Sequence, residues 1–278
     1  MQTTISTDGT NIAFDRIGQG PTLILITGAL NYSRFGVVGD LVPLLLSDFT
    51  VINYDRRGRG CSSNNLPYSV EKEIEDINAL INTAEGPAYL YGHSAGAALA
   101  LFAAAELGEN VKAVAAYEPP MSDNWWNDLP TKIGIARFRR MLAKGQKLEL
   151  ITQFMRFVGM STDLIEETLA SEHREVLIDM APTLVYEAEI LLHTKYFLKH
   201  QAHCVTQPAL LLAGDKSFKT AIKVQEVFAQ ALPKAQTKVL QGQTHSVEAL
   251  VLAPILKSFF SEAQHQKETW GSPPPTAH

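Results

Sequence analysis

Short, largely apolar runs recur along this chain, at LILIT (23–27), FTVINY (49–54), PAYLYG (87–92), VKAVAAY (111–117) and PALLLAG (208–214). A strand with one face in water alternates apolar and polar residues; a run that is apolar throughout must be covered on both sides. Helical segments predicted near 36–46, 69–83, 95–107, 218–231 and 246–261 supply those covers. The fold class is therefore α/β, a mostly parallel, doubly covered sheet. Ahead of the first run, Ile5 and then Ile12 and Phe14 alternate with polar residues around the Asp8-Gly9 turn, which predicts an opening hairpin.

The alternation of strand and helix lapses between Glu118 and Gln207, where TKIGIARFRRMLAKG, KLELITQFMRFVG and TLVYEAEILLHTKYFLK carry helical patterns and Pro182 separates two of them. This reads as an inserted helical lid over 119–206, with a core formed by 1–118 and 207–262. Residues 263–278 are expected to form a flexible tail, because KETWGSPPPTAH is too polar and proline-rich to bury itself. There is no internal repeat.

An apolar fraction of 46% and a charged fraction of 19% suffice for a large core and exclude a disordered or fibrous chain. Twenty-four basic against twenty-nine acidic residues leave a net charge of −5, which repels phosphate backbones and argues against a nucleic-acid partner. Two distant cysteines, Cys61 and Cys204, form neither a disulfide framework nor a metal motif and point to a reducing compartment. With no basic leader and no apolar run of about 18 residues, the expectation is a soluble, cytoplasmic monomer or homodimer with no membrane partner. No metal or cofactor is called for.

The chemistry concentrates in PAYLYGHSAGAALALFAAAEL, where an apolar strand meets Gly92-His93-Ser94-Ala95-Gly96 and then an alanine-rich helix. A strand that turns straight into a helix strains the residue between them, and flanking glycines make room for the turn. Ser94 is thereby pushed out at the sheet edge, with a helix amino terminus behind it that favours negative charge.

In these residues the sequence resembles the α/β-hydrolase superfamily over about residues 1–262. GHSAG looks like its nucleophile elbow, NYDRRGRGCSS (53–63) like the D-x-R-G-x-G-x-S segment, LITGAL (25–30) like the oxyanion loop with Thr27 in place of the usual histidine, and LQGQTHSVE places His245 after the last strand. The resemblance implies Ser94 as nucleophile and the backbone amides of Ala29 and Ala95 as oxyanion donors. A serine hydroxyl needs a base near neutral pH, and His245 is the candidate.

The orienting acid has two candidates. Relatives most often carry aspartate where this chain has Ser217. Asp215 lies two residues earlier, and Glu118 directly follows VKAVAAY, a position that resembles the acid of the haloalkane dehalogenases. Glu118 is preferred, because a strand end followed by Pro119-Pro120 holds a side chain better than a slipped loop does. Asp215 remains the alternative.

Other conspicuous residues read as structural. His93 is expected to point into strand–helix packing, Asp55, Arg57 and Gly58 to hold a loop, and Cys61 to fill a small packing site. The lid's Trp125, Trp126, Phe138, Met141, Phe154, Phe157, Met160, Tyr186, Tyr196 and Phe197 are expected to pack inward and leave an apolar cleft. The expected activity is hydrolysis of a carboxylic ester, thioester or lactone of a small, largely apolar molecule. The rivals are carbon–carbon bond hydrolysis, cofactor-free peroxidase or dioxygenase chemistry, and a receptor that binds a small ligand without turnover.

Overall fold

A computed structural model describes residues 1–84, 86–121 and 129–270, the side chains of 266–270 excepted. Its frame is one eight-stranded sheet: β1 (Gln2–Ile5), β2 (Asn11–Gly18), β3 (Thr22–Ile26), β4 (Thr50–Tyr54), β5 (Ala88–His93), β6 (Val111–Tyr117), β7 (Ala209–Gly214) and β8 (Ala235–Leu240). The spatial order is β1-β2-β4-β3-β5-β6-β7-β8. β2 pairs antiparallel with both β1 and β4, and every pairing from β4 to β8 is parallel. The unbroken apolar runs of β3, β5 and β7 are buried along their whole length, as two-sided cover requires.

One face is covered by α1 (Val37–Leu45) and α10 (Ala249–Trp270), whose Leu41, Leu45, Leu252, Leu256 and Phe260 pack on Leu25, Tyr89 and Tyr91. The other is covered by α2 (Val70–Asn82), α3 (Ala95–Leu107), α8 (Leu184–His200) and α9 (Ala221–Ala231). Because β3 pairs with β4 on one side and β5 on the other, the strand order reverses there. Open α/β sheets bind ligands at the carboxyl edge beside such a reversal.

The insertion after β6 is helical: α4 (Leu129–Ala143), α5 (Lys147–Phe157), α6 (Thr162–Ala170) and α7 (Arg174–Met180) precede α8, with Pro182 inside a 3-10 turn at Ala181–Thr183. Sequence patterning missed α6 and α7, which at nine and seven residues are too short to show a period. Other expectations need correction. α10 runs on to Trp270, through part of the expected tail, because SEAQHQKE is built from good helix formers that extend an existing helix; residues 271–278 lie outside the described residues. Phe157 and Tyr196 face solvent, at 82% and 53% exposure, while Met141, Tyr186 and Phe197 are buried. Trp125 and Trp126 lie outside the described residues. Cys61 is exposed and fills no packing site.

Candidate active site

The parallel register sets the site's geometry. His93 on β5 stands opposite Tyr117 on β6, so Ser94 and Glu118, each one residue further, reach the same level at the carboxyl edge. The ladder continues through them: the Ser94 N–H donates to the Tyr117 carbonyl and the Glu118 N–H to that of Leu212, both at 2.9 Å. Both residues have positive φ, 56° for Ser94 and 50° for Glu118. Among the described residues, Leu30 in the loop after β3 is the one other non-glycine with this conformation, at 51°. Strain of that kind persists where surrounding structure over-determines it, and here it gathers at one edge of the sheet.

The glycines explain how the turn is made. A Cβ on Gly92 would lie 2.1 Å from the Gly96 carbonyl oxygen, and one on Gly96 would lie 2.2 Å from that of Ile26. Gly28 brings the loop after β3 against the serine, since a Cβ there would meet the Ser94 Cβ at 3.0 Å. Ala95 opens α3, where the first amides lack intrahelical acceptors.

His245 lies in the loop after β8, about three-quarters buried, with its Nδ1 2.5 Å from Oε2 of Glu118. The same oxygen accepts from the Ser217 hydroxyl at 2.7 Å, and Oε1 accepts from the Gly214 N–H at 2.9 Å. Burial pushes the Glu118 carboxyl up, but the bonds from His245, Gly214 and Ser217 outweigh it and hold the group below the ordinary glutamate range. An ionised carboxylate only accepts, so Nδ1 donates, and in the neutral ring Nε2 is then the nitrogen with the lone pair. Asp215 uses its carboxylate elsewhere: Oδ1 accepts from the Gly242 N–H at 2.6 Å and ties the loops after β7 and β8 together.

Two neighbours hold the histidine loop. The Nε2–H of His93 donates to the His245 carbonyl at 2.8 Å, and the Tyr117 hydroxyl donates to that of Thr244 at 2.5 Å. Their rings stack 5.6 Å apart at 12°. Thus the residue before Ser94 and the residue before Glu118 grip consecutive carbonyls of the segment that carries His245. Burial, followed by the nearby His245, pulls His93 down to about 4, so its ring stays neutral. The expected packing role of His93 is therefore incomplete, and the parts of Tyr117 and Ser217 left no sequence signal.

Behind the edge, the DRRGRG segment buries three arginines. Asp55 accepts from the Ser33 and Cys61 amides, both at 2.8 Å. Arg57 is paired with Asp76 at 2.7 and 2.8 Å and with Asp8 at 2.9 Å, while Arg56 grips Glu73 at 2.5 and 3.0 Å. Arg56 and Arg59 share Glu187 of α8. Asp55 and Arg57 thus hold loops, as their sequence implies. An open recess of about 780 Å³ lies between α2, α4 and α8, lined by Val70, Lys132, Ile135, Arg139, Leu192 and His193; none of Ser94, Glu118 or His245 lines it. Among the described residues no His, Cys, Asp and Glu side chains group as a metal set would, and no helix is long and apolar enough to cross a membrane.

Comparison with known proteins finds the same fold. A family model described as alpha/beta hydrolase fold matches residues 21–247. The uncharacterized hydrolase YraK of Bacillus subtilis is 31% identical over 121 residues, 42% of this chain and 44% of that protein. The 2-(acetamidomethylene)succinate hydrolase of Mesorhizobium japonicum is 36% identical over 104 residues, 36% of each. These matches therefore span less than half of either curated relative. The crystal structure of an alpha/beta hydrolase from Sphaerobacter thermophilus superposes with a TM-score of 0.80 at 33% identity, covering 93% of this chain and all of that one.

Proposed function

This chain belongs to the alpha/beta hydrolase fold family, and on that premise we propose that it is a serine hydrolase acting on a carboxylic ester, thioester or lactone of a small molecule. Ser94 attacks the carbonyl carbon while His245 Nε2 takes its proton. Glu118 steadies the imidazolium that forms, and the Ala29 and Ala95 amides receive the oxyanion. The tetrahedral intermediate expels the alcohol, thiol or ring oxygen with the proton returned by His245. Water then repeats the sequence on the acyl-enzyme. The observation that carries this reading is the contact of His245 Nδ1 with Glu118 at the level of a strained Ser94.

Treatment with a fluorophosphonate is expected to add one adduct, located on Ser94 by mass spectrometry. Ser94→Ala and His245→Ala are each expected to lose about 10⁴-fold or more in turnover of chromogenic esters. Wild-type turnover in Ser94→Ala would overturn the proposal.

A further inference from the structure

The carbonyls of the loop after β3 are held by side-chain donors. Arg56 Nη1 donates to the Thr27 oxygen at 3.3 Å, Arg59 Nη1 to that of Gly28 at 2.5 Å and to that of Asn31 at 3.3 Å, and the Asn31 side-chain amide to that of Ala29 at 2.6 Å. The Gly28 carbonyl and the Ala29 N–H belong to one planar peptide group and point in opposite directions. A guanidinium that draws this carbonyl toward the buried arginines therefore turns the Ala29 N–H the other way, away from them, and the adjoining Gly28 closely approaches Ser94. A charged donor on the oxygen also polarises the peptide and strengthens its N–H as a donor.

Arg59 is wholly buried, and the carboxylate that meets it comes from the lid: Glu187 of α8 contacts its Nη2 and also lies 3.2 Å from Arg56. We propose that Arg59 is the positioning residue of the oxyanion hole and that Glu187 holds it there, so that the seating of the lid sets the aim of the Ala29 amide. This rests on the reading of Ala29 as an oxyanion donor. Burial and the neighbouring Arg56 both work against the Arg59 charge and hold it below the ordinary arginine range, and Glu187 offsets them only in part. Removing Glu187 alone leaves two close guanidiniums with one carboxylate fewer, which frees Arg59 to turn from the Gly28 carbonyl.

The test compares Arg59→Leu/Glu187→Leu, which removes both charges together and so avoids an orphaned buried ion, with Arg59→Lys and Glu187→Gln, which keep volume and a polar group. Each variant that unfolds cooperatively is titrated with a fluorophosphonate to count active sites. Turnover of a chromogenic ester and inhibition by an alkylboronic acid, whose tetrahedral adduct on Ser94 carries negative charge, are then measured per active site. The double variant is expected to lose about 10²–10³-fold in kcat with KM changed little, and its boronate affinity should fall in parallel with kcat/KM. Arg59→Lys and Glu187→Gln are expected to show the same pattern at about tenfold or more.

A merely structural role would lower the count of active sites and leave kcat per site and boronate affinity at wild-type levels; that result in the folded variants overturns the inference. Ser94→Ala run alongside separates the two proposals. If it is inactive while the Arg59 and Glu187 variants match wild type, only the positioning role falls. If it retains turnover, the serine-hydrolase reading falls first.

Discussion

At the residue scale, the candidate site depends on side chains that hold Glu118 and the loop of His245 in place. Three donors, Gly214, Ser217 and His245, converge on the Glu118 carboxylate, the arrangement that its proposed role as the acid requires. Ser217, where the resemblance implied an aspartate, donates its hydroxyl to the Glu118 carboxylate. Glu118→Gln is expected to cut kcat by about 10³–10⁴-fold, since an amide can stabilise the wrong tautomer. Asp215→Asn should stay within about threefold, and steady-state kinetics on one ester checks both. His93 gives a sharper physical signature. Its folded value is depressed to about 4 from 6.5, so below pH 6.5 the unfolded chain takes up a proton that the native state refuses. The stability this neutral ring contributes is complete above 6.5 and drains away as the pH falls toward 4, by about 3 kcal/mol in all. In His93→Gln, urea unfolding at pH 7 and pH 4.5 should show a smaller difference than in wild type.

At the scale of elements, the elbow is the least forgiving joint. β5 is buried along its length and α3 from Ala95 to Ala104, so neither can move to relieve a clash. Gly96→Ala, whose new Cβ would sit 2.2 Å from the Ile26 oxygen, is expected to cost about 3 kcal/mol or more, read as a lower urea midpoint. The α3 sequence foretold this burial, because its alanines leave no polar face to point outward. The lid helices were less legible. α5 shows a clear apolar stripe in its sequence, and Leu150, Ile151 and Met155 are buried, yet Phe157 at its end is largely exposed. Periodicity locates a face, but the end of a helix can project beyond the partner that would cover it.

Over the whole molecule, the two halves differ in how tightly they are held. The core packs on both faces of the sheet, whereas α4 to α7 of the lid gather in a smaller apolar cluster around Leu150, Leu177 and Leu184 that takes in Leu30 and Tyr32, and α8 joins the lid to the core through Ile190 and Phe197, through Tyr186 stacked on Tyr68 and through Glu187 between Arg56 and Arg59. Amide hydrogen exchange is therefore expected to be slowest in α3 and β5 and several orders of magnitude faster in α5 and α6, where many positions are half-buried or exposed. Equal protection in both would contradict that division. The sequence alone determined the strands, the covers on both faces, the place of the insertion and the strained serine, because each rests on local pattern: unbroken apolar runs, helical period, and glycines around a turn. Only the tertiary structure decided which carboxylate meets His245, that His93 and Tyr117 hold its loop, and that a lid glutamate faces the arginines behind the loop after β3. Those contacts join residues far apart in the chain, and what brings them together is the register of neighbouring strands and the path of the lid, which no local pattern encodes.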